Sequence, residues 1–154
     1  LEKIVKIIET DWSEIKPVWS KFLWPLKTAN QITSTSSMVF LGGYNLDIKK
    51  NRPSFWIARC DDVIVGTISG FKTSPNQFRS RGIWVADSYR GQGISFKLFE
   101  VVEARALEYN CNSIWSYPRV SALPAYLKFG FFSSGEIIHS DDPYTPHIYA
   151  EKKL

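Results

Sequence analysis

Apolar residues fall in two periods along this chain, and each predicts its own element. Short runs of alternating or continuous apolar character, rich in β-branched and aromatic residues, predict strands at 3–8, 54–60, 63–71, 77–86, 113–117, 131–138 and 147–153. Three segments carry the helical period instead. Trp12, Ile15, Val18, Trp19 and Phe22 form one stripe, with Asp11 or Ser13 as its cap and Pro25 as its limit. A longer stripe joins Ile94, Leu98, Val101, Val102, Ala106 and Tyr109, with Lys97, Glu100, Glu103 and Glu108 mostly opposite. It ends near Asn110, a residue that tolerates the left-handed conformation of a helix terminus. A third, short helix is expected from Ser121 as N-cap, Pro124 in the first turn and Gly130 just past the end, with Leu123 and Leu127 on one face.

Connections follow from the polar positions. Asp61-Asp62 joins two strands into a hairpin, and Gly82 marks a bulge or a close approach inside the third of these runs. The strand at 113–117 returns parallel to that run through a right-handed helical crossover. Residues 28–51 are rich in Ser, Thr, Asn and Gly, with only 38–41 clearly apolar, and read as a loop with a short helix. A loop of that length is either a functional lid or plain surface. At 154 residues and 44% hydrophobic, the chain fits one domain over 1–154. The expected class is α/β (α+β), a mixed, mostly antiparallel sheet with helices on both faces.

The chemistry concentrates where an apolar strand breaks into Arg90-Gly91-Gln92-Gly93-Ile94-Ser95 and a helix follows at once. Glycine permits positive φ and lets a ligand approach the backbone, while the first helical turn presents N–H donors and the positive end of its dipole. That combination suits a pyrophosphate, although the same glycines could simply make a tight turn. Two other phosphate loops are excluded by spacing. No Gly-x-x-x-x-Gly-Lys-Ser/Thr occurs, and Gly-x-Gly-x-x-Gly would need glycine at Phe96.

The segment resembles the pyrophosphate loop of the GNAT superfamily of acyl-CoA-dependent N-acyltransferases, with Arg90 and Gly93 matching and Ser95 departing toward another small residue. A second block is similar to that superfamily's Asn-x-x-Ala-x-x-x-Tyr followed by Gly-Phe: Ala122, Tyr126, Gly130 and Phe131 match, and Arg119 replaces the asparagine. The resemblance covers residues 54–132. It implies a parallel strand pair that splays to admit pantetheine, with the backbone of Ile83 and Val85 pairing to its amides. It also implies that Arg90, Gly91, Gln92, Gly93, Ile94 and Ser95 hold the diphosphate of acetyl-CoA, and that the 28–51 region helps form the acceptor site. Asparagine both donates and accepts, whereas the guanidinium of Arg119 only donates, so this position either meets a phosphate or faces solvent.

The implied reaction is transfer of an acetyl group from acetyl-CoA to a primary amine of a small molecule or peptide, by direct attack in a ternary complex. A thiolate must leave, and Tyr126 is the natural acid for it; its apolar neighbours equally allow a packing role. Glu136, His139, Asp141, Asp142 and Asp87 are within reach of a base role by sequence, and none is singled out. An acyl-CoA-binding sensor or scaffold without catalysis is the alternative. Trp12, Trp19 and Trp24 belong either to an acceptor pocket or to the core.

Charge narrows the rest. The net +4 is scattered, with Lys49, Lys50 and Arg52 the densest patch, so a nucleic-acid partner is not expected. A mildly basic mouth would favour a polyanion such as coenzyme A. Cys60 and Cys111 form no metal-ligand or redox pair and read as buried free thiols; no metal is expected. No apolar run is long enough for a membrane span, and the default compartment is the cytoplasm. A homodimer is compatible with everything above.

Overall fold

The computed structural model describes residues 4–35, 51–140 and 143–154. Seven strands, β1 (Val5–Thr10), β2 (Ser54–Cys60), β3 (Val63–Ser74), β4 (Gln77–Val85), β5 (Ser113–Ser116), β6 (Phe132–Ile138) and β7 (His147–Lys153), make one sheet in the order β1-β2-β3-β4-β5-β7-β6. Every neighbouring pair is antiparallel except β4 with β5, so the sheet is mixed and mostly antiparallel as the patterning requires.

Alternation along β2 assigns its two faces. Trp56, Ala58 and Cys60 enter a core with Leu98, Phe99, Val102 and Ala106 of helix α2 (Ile94–Glu108). Phe55 and Ile57 enter a second core with Ile15 and Trp19 from the N-terminal helix α1 (Trp12–Val18) and the π turn after it, Trp19–Leu23. Helices thus cover both faces. The third helix, α3 (Leu123–Phe129), packs on the α2 side through Tyr126 and Phe129. Cys60 and Cys111 are buried free thiols.

Local differences from the sequence reading have physical causes. Strand β1 starts and ends two residues later than expected, because Glu9 and Thr10 pair with Trp56 and Phe55 although they are polar. Polarity does not stop pairing on an edge strand. Asp11 is the cap of α1, its carboxylate accepting from the Ser13 N–H at 3.0 Å. Ser121 does not cap α3. A 3₁₀ turn over Val120–Ala122 precedes that helix and makes Ala122 its N-cap, while Leu127 lies exposed rather than sharing a buried face with Leu123. Asn110 (φ 62°) and Gly130 (φ 106°) end their helices in the left-handed region.

The long polar segment enters the described residues at its two ends. It holds a 3₁₀ turn, Ala29–Gln31, boxed by Thr28 and Gln31. Its far end is pinned by the buried Asn51, whose amide donates to the Lys72 carbonyl at 2.8 Å and accepts from the Lys72 N–H at 3.1 Å. The apolar stretch 38–41 and the basic pair Lys49-Lys50 lie outside the described residues, as do Asp141 and Asp142. Among the described residues no helix is long and apolar enough to cross a membrane.

Candidate active site

The site begins where β4 and β5 stop pairing. Three registered pairs, Gln77 with Ser113, Phe78 with Ile114 and Arg79 with Trp115, hold the parallel strands together. The Ser116 hydroxyl donates to the Ser80 carbonyl at 2.7 Å as a last tie. Beyond it the strands part, and the gap opens into a cavity of about 770 Å³ lined by Gly82, Ile83, Trp84 and Val85 on one side and by Ser116, Tyr117, Arg119, Ala122 and Tyr126 among others on the other.

A bulge sets the course of β4 at this point. Thr67 pairs with Trp84 and Ser69 with Arg81, so β3 advances two residues while β4 advances three. Gly82, at φ +76°, absorbs the extra residue in a conformation that a side chain rarely adopts. Past the bulge the Ala86 N–H donates to the Val65 carbonyl at 2.8 Å, toward β3. Backbone groups alternate in direction along a strand, so those of Trp84 point the same way and those of Ile83 and Val85 point into the gap.

The glycine loop closes one end of the cavity. Gly91 and Gly93 take φ +76° and +80°, and a Cβ built on either meets no atom within 4 Å. The first helical bond of α2 runs from the Lys97 N–H to the Gly93 carbonyl at 3.2 Å, so the N–H groups of Ile94, Ser95 and Phe96 have no intrahelical acceptor. Arg90, mostly exposed, donates its Nε–H to the Val85 carbonyl at 3.2 Å and pairs with Asp87 at 3.2 Å. Arg90, Gly91, Gly93, Ile94 and Ser95 all line the cavity. Gln92 is exposed, and its amide reaches the Ser88 carbonyl at 3.4 Å.

Tyr126 lies on the opposite wall. Its ring packs edge-on against Phe99 at 4.8 Å and Phe131 at 5.1 Å, and only 3% of the residue is exposed, yet it borders the cavity. Burial raises the phenol above its ordinary pKa, while a hydrogen bond with Ser116 and the charges of Arg79 and Arg119 act the other way. Tyr126 thus packs in the core and borders the cavity at the same time.

Other candidates separate. Arg119 does not simply face solvent: it is half-buried and lines the cavity, Nη2 donates to the Leu23 carbonyl at 2.5 Å and the guanidinium lies 4.4 Å from the Tyr144 ring centre. It ties the N-terminal π turn to the segment before α3. Trp19 is fully buried and Trp12 packs beside it, whereas Trp24 lines the cavity. Glu136 and His139 are exposed and, like Asp87, do not line the cavity. Among the described residues no three His, Cys, Asp or Glu side chains cluster as a metal site.

Patterning missed two arginines. Arg79 and Arg81 project from one face of β4 into the cavity wall, together with Lys27, Ser116 and His147 from other elements. Arg79 stacks on Trp115 at 4.9 Å, and Arg81 lies over Trp19 at 5.2 Å and Trp24 at 4.9 Å. Arg81 also donates to the Thr33 carbonyl at 2.7 Å. Burial pushes the guanidinium of Arg79 down to about 10 and that of Arg81 to about 9, the latter helped by repulsion from Arg79. Two cations spaced by two in a strand were the available signal.

These features coincide with a known family. Residues 8–131 match the acetyltransferase (GNAT) family, and the chain belongs to it. Solved structures with the same fold include a GNAT-family acetyltransferase from Staphylococcus aureus Mu50 (21% identity, TM-score 0.66, 98% of this chain and 99% of that one). Ard1 from Thermoplasma volcanium is similar at 18% identity and a TM-score of 0.70, covering 97% of both chains. An aminoglycoside 6'-N-acetyltransferase solved with coenzyme A is similar at 14% identity and a TM-score of 0.70, covering 96% of both chains. No curated protein sequence matches significantly.

Proposed function

We propose that this protein transfers an acetyl group from acetyl-CoA to a primary amine by direct attack in a ternary complex. One observation carries the reading: a single cavity runs along the parted strands from the glycine loop to Tyr126. Acetyl-CoA contributes the thioester. The residues fit such a ligand, since the loop at Gly91 and Gly93 is open to a close approach and the first turn of α2 presents donors beside it.

Each part of the chain then has a task. Residues 90–95 grip the diphosphate through main-chain amides, and Ile83 and Val85 pair with the pantetheine as a missing strand would. A backbone N–H of the splayed β4 faces the carbonyl oxygen where charge develops, a contribution of roughly 3 kcal/mol in comparable oxyanion holes. Tyr126 holds a proton on its hydroxyl for the departing thiolate. Arg79 and Arg81 favour the neutral form of an amine held near them, because like charges depress an ammonium's pKa.

Calorimetry with acetyl-CoA, followed by release of free CoA in the presence of amines, tests the reading. Micromolar binding with amine-dependent release is expected. Binding without release from any amine points to the sensor alternative, and no binding by folded protein removes both.

A further inference from the structure

The cavity wall of this site is cationic beyond what a coenzyme needs. Lys27, Arg79, Arg81, Arg90, Arg119 and Lys128 line it, and among the described residues no Asp or Glu does. Arg79 stands out because only 5% of it is exposed and because its Nε–H and Nη1–H groups have no hydrogen-bond partner among the described residues. Neither Arg79 nor Arg81 forms an ion pair with a described residue. A buried guanidinium with idle donors is a costly arrangement unless a ligand completes it.

The diphosphate of coenzyme A is not that ligand. Arg79 sits in the paired part of β4, before the strands part, whereas the glycine loop follows the end of β4 at Val85. Five residues of strand, bulged at Gly82, lie between Arg79 and Val85, which β3 spans in five steps from Phe71 to Gly66, roughly 17 Å at 3.3 Å per residue. Arg79 instead pairs in register with Trp115, next to Ser116, which hydrogen-bonds with Tyr126, and all of Arg79, Ser116 and Tyr126 line the cavity, which puts Arg79 at the reacting end. What reaches it there is the acceptor.

Resting on the acetyltransferase reading above, we propose that the acceptor is an amine that also bears a carboxylate, held by the fork of Arg79 with Arg81 beside it. Planar guanidinium donors match a carboxylate two bonds at a time, and Trp115 behind Arg79 fixes the plane of the fork. The depressed ionisation of both arginines has the same origin, since no anion in the described protein offsets their burial. A polyamine or aminoglycoside would bring further positive charge into a wall where no described carboxylate supplies a counter-charge.

The test compares matched acceptors on the intact protein. Amino acids, their carboxamides, the decarboxylated amines and O-phosphorylated amines are assayed for acetyl-CoA-dependent thiol release. N-acetylated amino acids and their amides are titrated into the CoA complex by calorimetry. We expect kcat/KM, and affinity of the acetylated products, to favour carboxylates over amides by at least tenfold. Arg79→Met should collapse that ratio to near one, Arg79→Lys should restore part of it, and acetyl-CoA binding measured separately should persist in both. Equal or better performance of amides, decarboxylated or phosphorylated amines in the wild type overturns the proposal even if neither variant folds. Failure of acetyl-CoA to bind would instead overturn the reading beneath it. Carboxylate-selective product binding without turnover supports the proposal and argues against catalysis.

Discussion

Trp19 occupies the space that any side chain at Gly82 would need. A Cβ at position 82 would lie 2.1 Å from Cζ2 of the indole, and the Nε1–H of that indole donates to the Gly82 carbonyl at 3.2 Å and to Thr67 Oγ1 at 3.1 Å. Thr67 in turn donates to the Gly82 carbonyl at 3.0 Å. The bulge that bends β4 away from β5 is therefore braced from the N-terminal segment, 63 positions away in sequence. Gly82→Ala should cost about 2–5 kcal/mol, the sum of left-handed strain and overpacking against a fully buried ring. Urea unfolding reads that cost; a midpoint unmoved by the substitution would show that the brace does not exist.

Gly93 makes the opposite case. It has φ +80° but open space where a side chain would project, so Gly93→Ala carries strain without a clash. We expect about 1–2 kcal/mol of destabilisation. The larger effect should fall on acetyl-CoA, whose KM rises at least tenfold because the methyl group stands in the cradle. Comparing thermal unfolding with acetyl-CoA titrations separates the two, and an unchanged KM would take the diphosphate away from this loop.

The contrast between these glycines shows what was legible in the sequence. Local signals carried the strands, the bulge at Gly82, the glycine loop and the C-terminal ends of α2 and α3, because turn chemistry and periodicity act over a few residues. The cap of α3 was misplaced because a 3₁₀ turn consumed Ser121, a choice made by the chain's approach to the helix rather than by Ser121 itself. Arg119 illustrates the larger gap. Its partners include the Leu23 carbonyl and the ring of Tyr144, and no motif spacing specifies contacts of that range. Arg79 and Arg81 were hidden for a related reason: charges inside a strand read as surface until the sheet order shows that a cavity, not solvent, lies above them.

Tyr126 offers a direct kinetic check. Tyr126→Phe keeps the ring that packs between Phe99 and Phe131 and removes only the hydroxyl. General acid catalysis contributes typically a hundredfold or more, so kcat should fall about 10²-fold while stability changes by about 1 kcal/mol or less. Steady-state rates paired with urea unfolding make the comparison. A normal kcat would reduce the residue to packing.

The same hydroxyl predicts how activity and stability diverge in alkali. Burial holds the phenol above its ordinary pKa of 10.0, so the proton needed for the thiolate stays in place at a pH where an exposed tyrosine would lose it. The acceptor meanwhile must shed a proton, which an ordinary alkylammonium does near 10.4 and one beside Arg79 and Arg81 does at lower pH. The rate of the wild type should therefore climb toward pH 9, and any fall above it follows the loss of charge on Arg81 near 9 and Arg79 near 10, so it persists in Tyr126→Phe. The tyrosine's share of stability moves the other way. Tyr126 in the unfolded chain ionises near pH 10 and in the folded chain only above it, so the contribution of this tyrosine to stability falls as pH rises past 10, against the opposite contribution of Arg79 and Arg81, whose protons leave more easily in the folded chain. Tyr149, also raised through burial and Glu151, adds to that fall. Tyr126→Phe should flatten part of the alkaline loss of stability and leave the share of Tyr149. A descending limb near pH 10 that disappears in the variant would mean that the phenol is not shielded, and that solvent reaches it along the gap between β4 and β5.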